Sequence, residues 1–371
     1  MWVYIVRRLL FIPPVLFLIM VVNFAIIQFV PGGPVEKVIA QITGKDTSAT
    51  QRITGEGSSE TLGERQSSRA GSSGNPESKY RGARGIDPEL IAAIEKQFGF
   101  DRPAHERLWL MMKNYIRFDF GESFFRDRKV TDLLVEKLPV SVSLGLWSTL
   151  LIYLISIPLG VRKALKDGST FDVATSGVVI GGYAIPGFLF AILLIVLFAG
   201  GSYWKIFPLG GLMSENWRAL SFLGRVADYF WHMTLPLVTL VIGGFAGLTM
   251  LTKNSFLEEV NKQYVMTARA KGLSERTVLF KHAFRNAMLL VVAGFPSVFV
   301  GILFTGNLLV EIIFSLDGLG LMGYEAAINR DYPVMFGTLY LFTLLGLVMN
   351  LAGDLMYVVV DPRIDFGKQG E

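Results

Sequence analysis

Long apolar runs separated by polar stretches dominate the hydrophobic pattern of this 371-residue chain. Each run approaches or exceeds the roughly 20 residues of helix that a bilayer core requires. Helices are favoured because a helix satisfies its own backbone hydrogen bonds in lipid. The pattern therefore predicts an all-α polytopic membrane protein. Its six transmembrane helices are expected at residues 9–30, 139–160, 173–198, 233–252, 288–310 and 334–360.

The first apolar run follows a basic start, as the core of a cleaved signal peptide does. It is longer than such a core, and no small-residue cleavage site follows it. We therefore interpret residues 1–30 as an N-terminal transmembrane helix that is retained.

The polar segment after the first run, residues 31–138, changes character along its length. Residues 44–85 consist mainly of glycine, serine and charged residues, with very few apolar ones. Such a composition predicts disorder, because too little surface is available to offset the entropy of the chain.

Residues 87–130 are predicted to form a small helical external subdomain. Asp87 is expected to cap a helix whose first turn contains Pro88 and Glu89, and apolar residues follow at helical spacing. A second amphipathic helix is expected from about Pro103 to Arg117.

Basic residues predict the orientation of the chain, because lysine and arginine near the ends of spans stay cytoplasmic. They cluster before the first run (Arg7, Arg8), after the second (Arg162, Lys163, Lys166) and between the fourth and fifth (Lys253 to Arg285). With the N-terminus inside, these clusters share one side of the membrane. The C-terminal tail, residues 361–371, is then cytoplasmic, and the segments 31–138, 199–232 and 311–333 are external.

The composition agrees with a membrane protein and excludes several kinds of site. Hydrophobic residues make up 51% of the chain, and its mean hydropathy of +0.46 exceeds that of soluble domains. Cysteine is absent, so disulfides and thiolate metal sites are excluded, and the three histidines, His105, His232 and His282, are scattered. The net charge is only +4, which argues against nucleic acid binding, because that function needs basic residues clustered on one face. We expect no cofactor in this chain and no nucleic acid partner.

Motifs for catalysis or ion coupling are also missing from the pattern. "GKDT" at Gly44 lacks the first glycine of a P-loop, and the match to GxSG at Gly71–Gly74 lies in the low-complexity tract. The runs are almost free of charge, with Asp354 as the one clear acid, for which we expect structural pairing. Energy for uphill transport is therefore expected to come from another protein.

Proline within the third run, Pro186 in "GGYAIPGFLF", predicts a kink, because it removes a backbone hydrogen bond. The neighbouring glycines are typical of close packing between helices.

The most strongly patterned polar stretch is "YVMTARAKGLSERTVLFKHAFRNAM", residues 264–288. Tyr264, Thr267, Ala268 and Lys271 have the spacing of a short helix, which Gly272 is expected to end in a left-handed C-cap.

A second helix is expected after this glycine corner. Ser274 is its predicted cap, and Glu275 lies in its first turn, where the helix dipole favours an acid. Its apolar face is expected to contain Phe280, Ala283, Phe284 and Ala287, with Arg276 and Arg285 lying away from it. The small residues Ala268, Ala270 and Gly272 are expected to let a partner approach closely. The residues alone are equally consistent with a basic loop that only sets topology.

This stretch resembles the EAA loop of binding-protein-dependent ABC importers, whose general form is Glu-Ala-Ala, three residues, then Gly. The peptide-importer branch is similar to Tyr-x-x-Thr-Ala-Arg-Ala-Lys-Gly, which matches Tyr264 to Gly272 throughout. Met266 stands where the general motif has glutamate. The resemblance implies a coupling helix that contacts an ATPase subunit through Tyr264, Thr267, Ala268, Arg269, Ala270, Lys271 and Gly272.

Other segments resemble permeases of dipeptide and oligopeptide importers. They are "NFAIIQFVPGGP", "FGFDRPAHERLWLMMKNYIRFDFGESF", "HAFRNAMLL", "VEIIFSLDGLGLMGYEAAINRDYPVMFG" and "VDPRIDF". Gly33 and Leu290 stand where many relatives have aspartate and proline. "YRGARGIDPE" and "RDYPVMFGTLY" are most similar to the Yej-type branch of Gram-negative bacteria, associated with peptides and the antibiotic microcin C.

The resemblance implies the type I ABC importer permease fold in a bacterial inner membrane. Residues 139–360 are then the core permease domain, with five transmembrane helices and a cytoplasmic coupling loop at 253–287. The implied partners are membrane lipid, a second homologous permease, two ATP-binding subunits that use ATP and Mg²⁺, a periplasmic solute-binding protein and a peptide substrate.

The implied mechanism is alternating access, with no catalysis by this chain. Residues 87–130 and 311–333 would form part of a docking surface and outer gate. The alternative from the residues alone is a stand-alone channel or secondary transporter. A receptor without transport is a third possibility, which the size of the external segment disfavours.

Overall fold

The computed structural model describes residues 2–30, 32–42, 86–200, 203–302 and 308–360. The predictions for residues 44–85 and 361–371 lie outside these ranges. Helices dominate the described part, and its β pairing is limited to an isolated bridge between Glu122 and Lys129. The helices are α1 (Trp2–Phe29), α2 (Pro34–Ile42), α3 (Pro88–Gln97), α4 (Ala104–Tyr115), α5 (Val130–Leu165), α6 (Thr170–Ala184), α7 (Gly187–Phe198), α8 (Phe222–Val260), α9 (Gln263–Ala270), α10 (Glu275–Thr277), α11 (Phe284–Ala293), α12 (Phe295–Gly301), α13 (Leu308–Ile313), α14 (Leu319–Asn329) and α15 (Tyr332–Val360).

Within the described ranges, five helical segments are long and apolar enough to cross a membrane. They are Tyr4–Phe29, Val130–Leu165, Phe222–Val260, Glu275–Gly301 and Tyr332–Met356. The all-α membrane class is confirmed, but the helices extend beyond the apolar runs. At 39 residues, α8 is about 58 Å long and exceeds the roughly 30 Å hydrocarbon core.

The third predicted span, residues 173–198, is not one helix with a kink. It consists of α6 and α7, which meet at an angle of 92°. Between them Ile185 is extended, with φ −85° and ψ 120°, and Pro186 precedes the first residue of α7. The residue before a proline avoids the helical region and proline donates no hydrogen bond, so the helix breaks here.

The described residues divide between two compact units. The first contains Met1–Pro13, Val135–Met322 and Leu341–Glu371, and the second contains Pro14–Leu134 and Gly323–Tyr340. Several long helices therefore contribute a segment to each unit.

Helices α5 and α8 pack closely in the first unit. A Cβ atom added to Gly160 would lie 2.6 Å from the Cβ of Thr252, so only glycine fits this approach. Around this contact lies a core of buried residues: Ile152, Tyr153, Val161, Ala164, Leu248, Phe256, Val265, Ala268, Val278, Ala283, Ala287, Met288 and Val291.

The second unit contains α3 and α4, which lie where two helices were predicted between residues 87 and 117. The carboxylate of Asp87 accepts a hydrogen bond from the Glu89 backbone N–H at 3.0 Å, which confirms the predicted cap. Ile94 packs against Val35 and Ile39 in a small core. A further anchor is the buried Asp331, whose carboxylate accepts hydrogen bonds from Ser123 Oγ at 2.5 Å and Phe124 N at 3.1 Å.

Candidate functional site: the α9 segment and the buried ion clusters

Helix α9 lies between the two membrane-length segments α8 and α10–α12 and ends at a glycine corner. Gly272 has φ +77°, and its backbone N–H donates to Arg269 O at 2.9 Å. The predicted left-handed C-cap is confirmed, since this conformation favours glycine. The Ser274 side chain then caps α10 by accepting a hydrogen bond from Thr277 N at 3.4 Å.

One face of α9 is occupied by the core of the first unit. Val265 is 0% exposed and Ala268 is 9% exposed, and both pack in the cluster that contains Val278 and Ala283. The Ala268 methyl group therefore faces inward, and a part for this residue in a partner contact stays a prediction. The described positions Thr267, Ala270, Lys271 and Gly272 are exposed.

Two polar side chains of α9 brace the segment internally. The Tyr264 hydroxyl donates to Glu259 Oε2 at 2.5 Å and accepts from Asn286 Nδ2 at 3.1 Å, which joins the end of α8 to α11. Burial, with the Glu259 contact, raises the pKa of Tyr264. Arg269 donates two hydrogen bonds to Glu275, at 2.7 and 3.1 Å, across the glycine corner, and this partner raises the pKa of Arg269.

Large apolar side chains of the segment point to solvent. Met266 is 61% exposed, Leu273 43% and Phe280 57%. Where exposed apolar side chains form a contiguous patch, they mark a surface that contacts another protein or a membrane. We call Met266 of α9, together with Leu273 and Phe280 from the segment that follows it, the apolar contacts of α9.

The helix after the corner departs from the predicted single apolar face. Val278–Ala283 form a π-helical turn, in which the backbone bonds skip one residue further than in an α-helix. This turn rotates the residues after it relative to those before it. Ala283 and Ala287 are therefore buried while Phe280 is exposed. The expectation that Phe280 shares their face, which assumed a period of 3.6 residues, is wrong.

A buried ion cluster joins α5, α6 and α8. The Lys163 side chain is 0% exposed, and its Nζ lies 2.9 Å from Asp172 Oδ1. The same amine donates to Asp172 O, Thr175 Oγ1 and Ser176 Oγ. Lys253 Nζ completes the cluster at 2.7 Å from Asp172 Oδ2.

The Lys163 ammonium was expected to be a topology signal, and the apolar runs were expected to be almost uncharged. Both expectations missed this cluster, because the partners come from separate helices. One local signal in the sequence could have indicated the cluster. Ser169 is a helix cap whose Oγ accepts a hydrogen bond from Asp172 N at 3.3 Å, so Asp172 is an acid in the first turn of α6, close to two lysines.

A second buried acid, Glu311, holds the segment before α14. Its carboxylate is 0% exposed and accepts from Ser141 Oγ at 3.0 Å and Leu321 N at 2.7 Å. A methyl group on Gly318 would overlap this carboxylate. Burial raises the pKa of Glu311, although the two hydrogen bonds oppose the shift. Sequence reasoning missed this site, which is marked only by the glycines of "SLDGLG".

Asp354 is paired, as the sequence predicted. Its carboxylate accepts a hydrogen bond from the Tyr4 hydroxyl at 2.8 Å and lies 2.8 Å from an Arg8 nitrogen. The pair joins the two ends of the first unit, which favours a structural role.

Comparison with known proteins places these features in a family context. The model of the family described as "Binding-protein-dependent transport system inner membrane component" matches residues 156–366, which include the α9 segment and the buried ion cluster. A solved structure of the methionine ABC transporter MetNI in inward-facing form aligns with a TM-score of 0.47 and 19% identity, over 62% of this chain and 97% of that one.

Curated relatives match the chain over most or all of its length. The peptidoglycan transport system permease protein YejB of Agrobacterium fabrum is 58% identical over 369 residues, covering 100% of both chains. The inner membrane ABC transporter permease protein YejB of Escherichia coli O157:H7 is 58% identical over 367 residues, covering 99% of each. The oligopeptide transport system permease protein OppB of Salmonella typhimurium is 34% identical over 292 residues, covering 78% of this chain and 90% of that one.

Proposed function

Because this chain belongs to the family of binding-protein-dependent transport system inner membrane components, we propose that it is the permease subunit of an ATP-driven importer of peptides. The observation that carries the proposal is 58% identity over the full length of two chains named as transport permeases. The name of the Agrobacterium relative points to peptidoglycan, and that of the Salmonella relative to oligopeptides.

Family membership also implies the general set of partners. A permease of this family works with another permease, an ATPase and a binding protein. For this chain we propose one homologous permease, two ATPase subunits that hold ATP and Mg²⁺, and a periplasmic solute-binding protein in the inner membrane assembly. Both termini are proposed to be cytoplasmic.

The proposed mechanism is alternating access driven by the ATPase. Its closure moves α9, and the braces of Tyr264 and Arg269 carry that movement to α8 and α10. A rigid helix transmits displacement because packed elements have discrete arrangements rather than continuous ones. The proposed ATPase contact combines the exposed backbone of Ala270–Gly272 with the apolar contacts of α9.

Purification of the tagged permease from native membranes tests this proposal. We expect wild type to recover a second permease and an ATPase, and Met266→Asp to lose the ATPase because a charge replaces an exposed apolar contact. Met266→Leu is the matched control and retains it. Thermal unfolding of each variant separates lost docking from lost folding.

The same preparation distinguishes the alternative function. Wild type that purifies alone and supports uptake without ATP would identify a stand-alone channel or secondary transporter. If Met266→Asp folds and keeps the ATPase, α9 is not the docking element, whereas recovery of the ATPase with wild type still supports the importer.

A further inference from the structure

A cavity in the second unit lies outside the coupling site. Its volume is about 530 Å³, within the range of about 300–1,000 Å³ that is usual for small-molecule sites. The end of α1, the turn at residues 96–102, one face of α4 and the start of α15 line it. Residues 119–124 also line it, so the cavity is an open groove bounded by five separate parts of one unit.

Aromatic rings form much of the cavity wall. Phe24 stacks on Phe336 with ring centroids 6.1 Å apart, and Phe100 packs against Tyr332 at 6.2 Å. Rings that are packed on each other have few alternative positions. They present a preformed apolar surface, which accepts aliphatic and aromatic side chains of different shapes.

One cation of the cavity is held in place by these rings. The Arg107 guanidinium lies 4.3 Å from the centroid of Phe100, and its Nη2 donates to Gln28 Oε1 at 2.9 Å. Arg102 lines the same cavity and is exposed. A planar guanidinium on an aromatic face is suited to bind a carboxylate through two parallel hydrogen bonds.

The cavity also has acidic groups, which decide between possible ligands. Asp101 and Asp119 line it together with the amide side chain of Asn114 and a third cation, Lys96. Two carboxylates repel the phosphate of an anionic lipid but attract an ammonium group. Charges of both signs around an apolar wall therefore complement a small zwitterion with an apolar side chain.

We propose that this cavity is a subsite for short peptides with free termini. The peptide carboxylate binds Arg102 and Arg107, its ammonium group lies near Asp101 or Asp119, and an apolar side chain lies against the rings. This proposal rests on the proposed peptide import and gives the permease its own contact with the substrate.

Equilibrium dialysis of the full chain in phosphatidylcholine nanodiscs tests the subsite. The probe is radiolabelled Ala-Ala-Phe, compared with its C-terminal amide. We expect saturable binding of the free acid and at least about tenfold weaker binding of the amide, since the charge-assisted hydrogen bonds are lost. Arg102→Gln weakens binding of the acid and leaves that of the amide unchanged. Arg117→Gln, an exposed residue outside the cavity lining, is the matched control and changes neither.

The outcomes separate the subsite from the importer function. The subsite proposal is overturned if acid and amide bind equally or if wild type does not bind the probe. It is also overturned if Arg117→Gln has an effect as large as that of Arg102→Gln. Binding that disappears when phosphatidylglycerol replaces phosphatidylcholine assigns the cavity to lipid and also overturns it. ATP-dependent uptake by the whole assembly is measured in parallel, and its absence contradicts the importer function and not the subsite.

Discussion

Among single residues, Glu311 has the most unusual environment for a carboxylate. It is fully buried, and its described contacts are Ser141 Oγ, Leu321 N and the backbone around Gly318. Burial raises its pKa above the ordinary 4.5. The folded state therefore binds a proton more tightly than the unfolded state. Stability is gained as pH falls towards 4.5 and is lost as pH rises through the folded pKa.

We expect Glu311→Gln to remove this pH dependence, because the amide has a similar shape and does not ionise. Relative to Glu311→Gln, wild type should lose thermal stability as the pH rises above the ordinary carboxyl pKa of 4.5. Tryptophan fluorescence during heating in detergent measures the difference. Glu106→Gln, at an exposed position, is the control and should follow wild type. Parallel curves for wild type and Glu311→Gln would contradict the argument.

The buried lysine cluster makes a second prediction at this scale. Asp172→Asn leaves the fully buried Lys163 without its carboxylate and is expected to lower the unfolding free energy, because a buried charge then lacks its counter-ion. Lys253→Met should cost less, because Asp172 keeps Lys163 as a partner. Denaturant unfolding in mixed micelles compares the two variants, and equal losses would contradict this ranking.

Among the elements, the α9 corner depends on one backbone conformation. A Cβ on Gly272 would meet no atom within 4 Å, so substitution there costs only conformational energy. Gly272→Ala is expected to destabilise the protein by about 1 kcal/mol, and Gly272→Asn by less, since asparagine tolerates the left-handed region better.

Thermal unfolding midpoints measure these effects, with Gly243→Ala as the matched control. Gly243 lies inside α8 and also has open space around it. The same substitution there should stabilise the helix by about 0.5–1 kcal/mol. The Gly272 argument is wrong if both alanine variants shift the midpoint in the same direction.

The elements also show what the sequence predicts and where it fails. Asp87, Ser274 and Gly272 act within a few residues of their own position, and all three caps were predictable. The burial of Ala268 was not, because it depends on Val278 and Ala283 after the corner. The π-turn shifts the following register, and no residue type announces it. The burial and pairing of Glu311 and Lys163 likewise could not be predicted, because their partners lie on other helices.

For the whole molecule, the absence of cysteine allows a direct test of orientation. Single variants Lys271→Cys and Arg117→Cys place thiols at exposed positions in the α9 segment and after α4. An impermeant maleimide is expected to label Arg117→Cys in spheroplasts and Lys271→Cys in inverted vesicles. The reverse pattern would place α9 on the external side.

The path of the chain at the 92° corner at Pro186 decides, by parity, on which side of the membrane α9 lies. Helices of 15 and 12 residues reach about 22 Å and about 18 Å, so neither half crosses a core of about 30 Å alone. Three unbroken helices, α1, α5 and α8, precede α9. An odd number of crossings would put α9 opposite the N-terminus, so the proposed orientation, with both on the cytoplasmic side, requires α6 and α7 together to add one more. A polypeptide that turned back at this proline would place α9, the proposed ATPase contact, on the side of the membrane opposite the N-terminus.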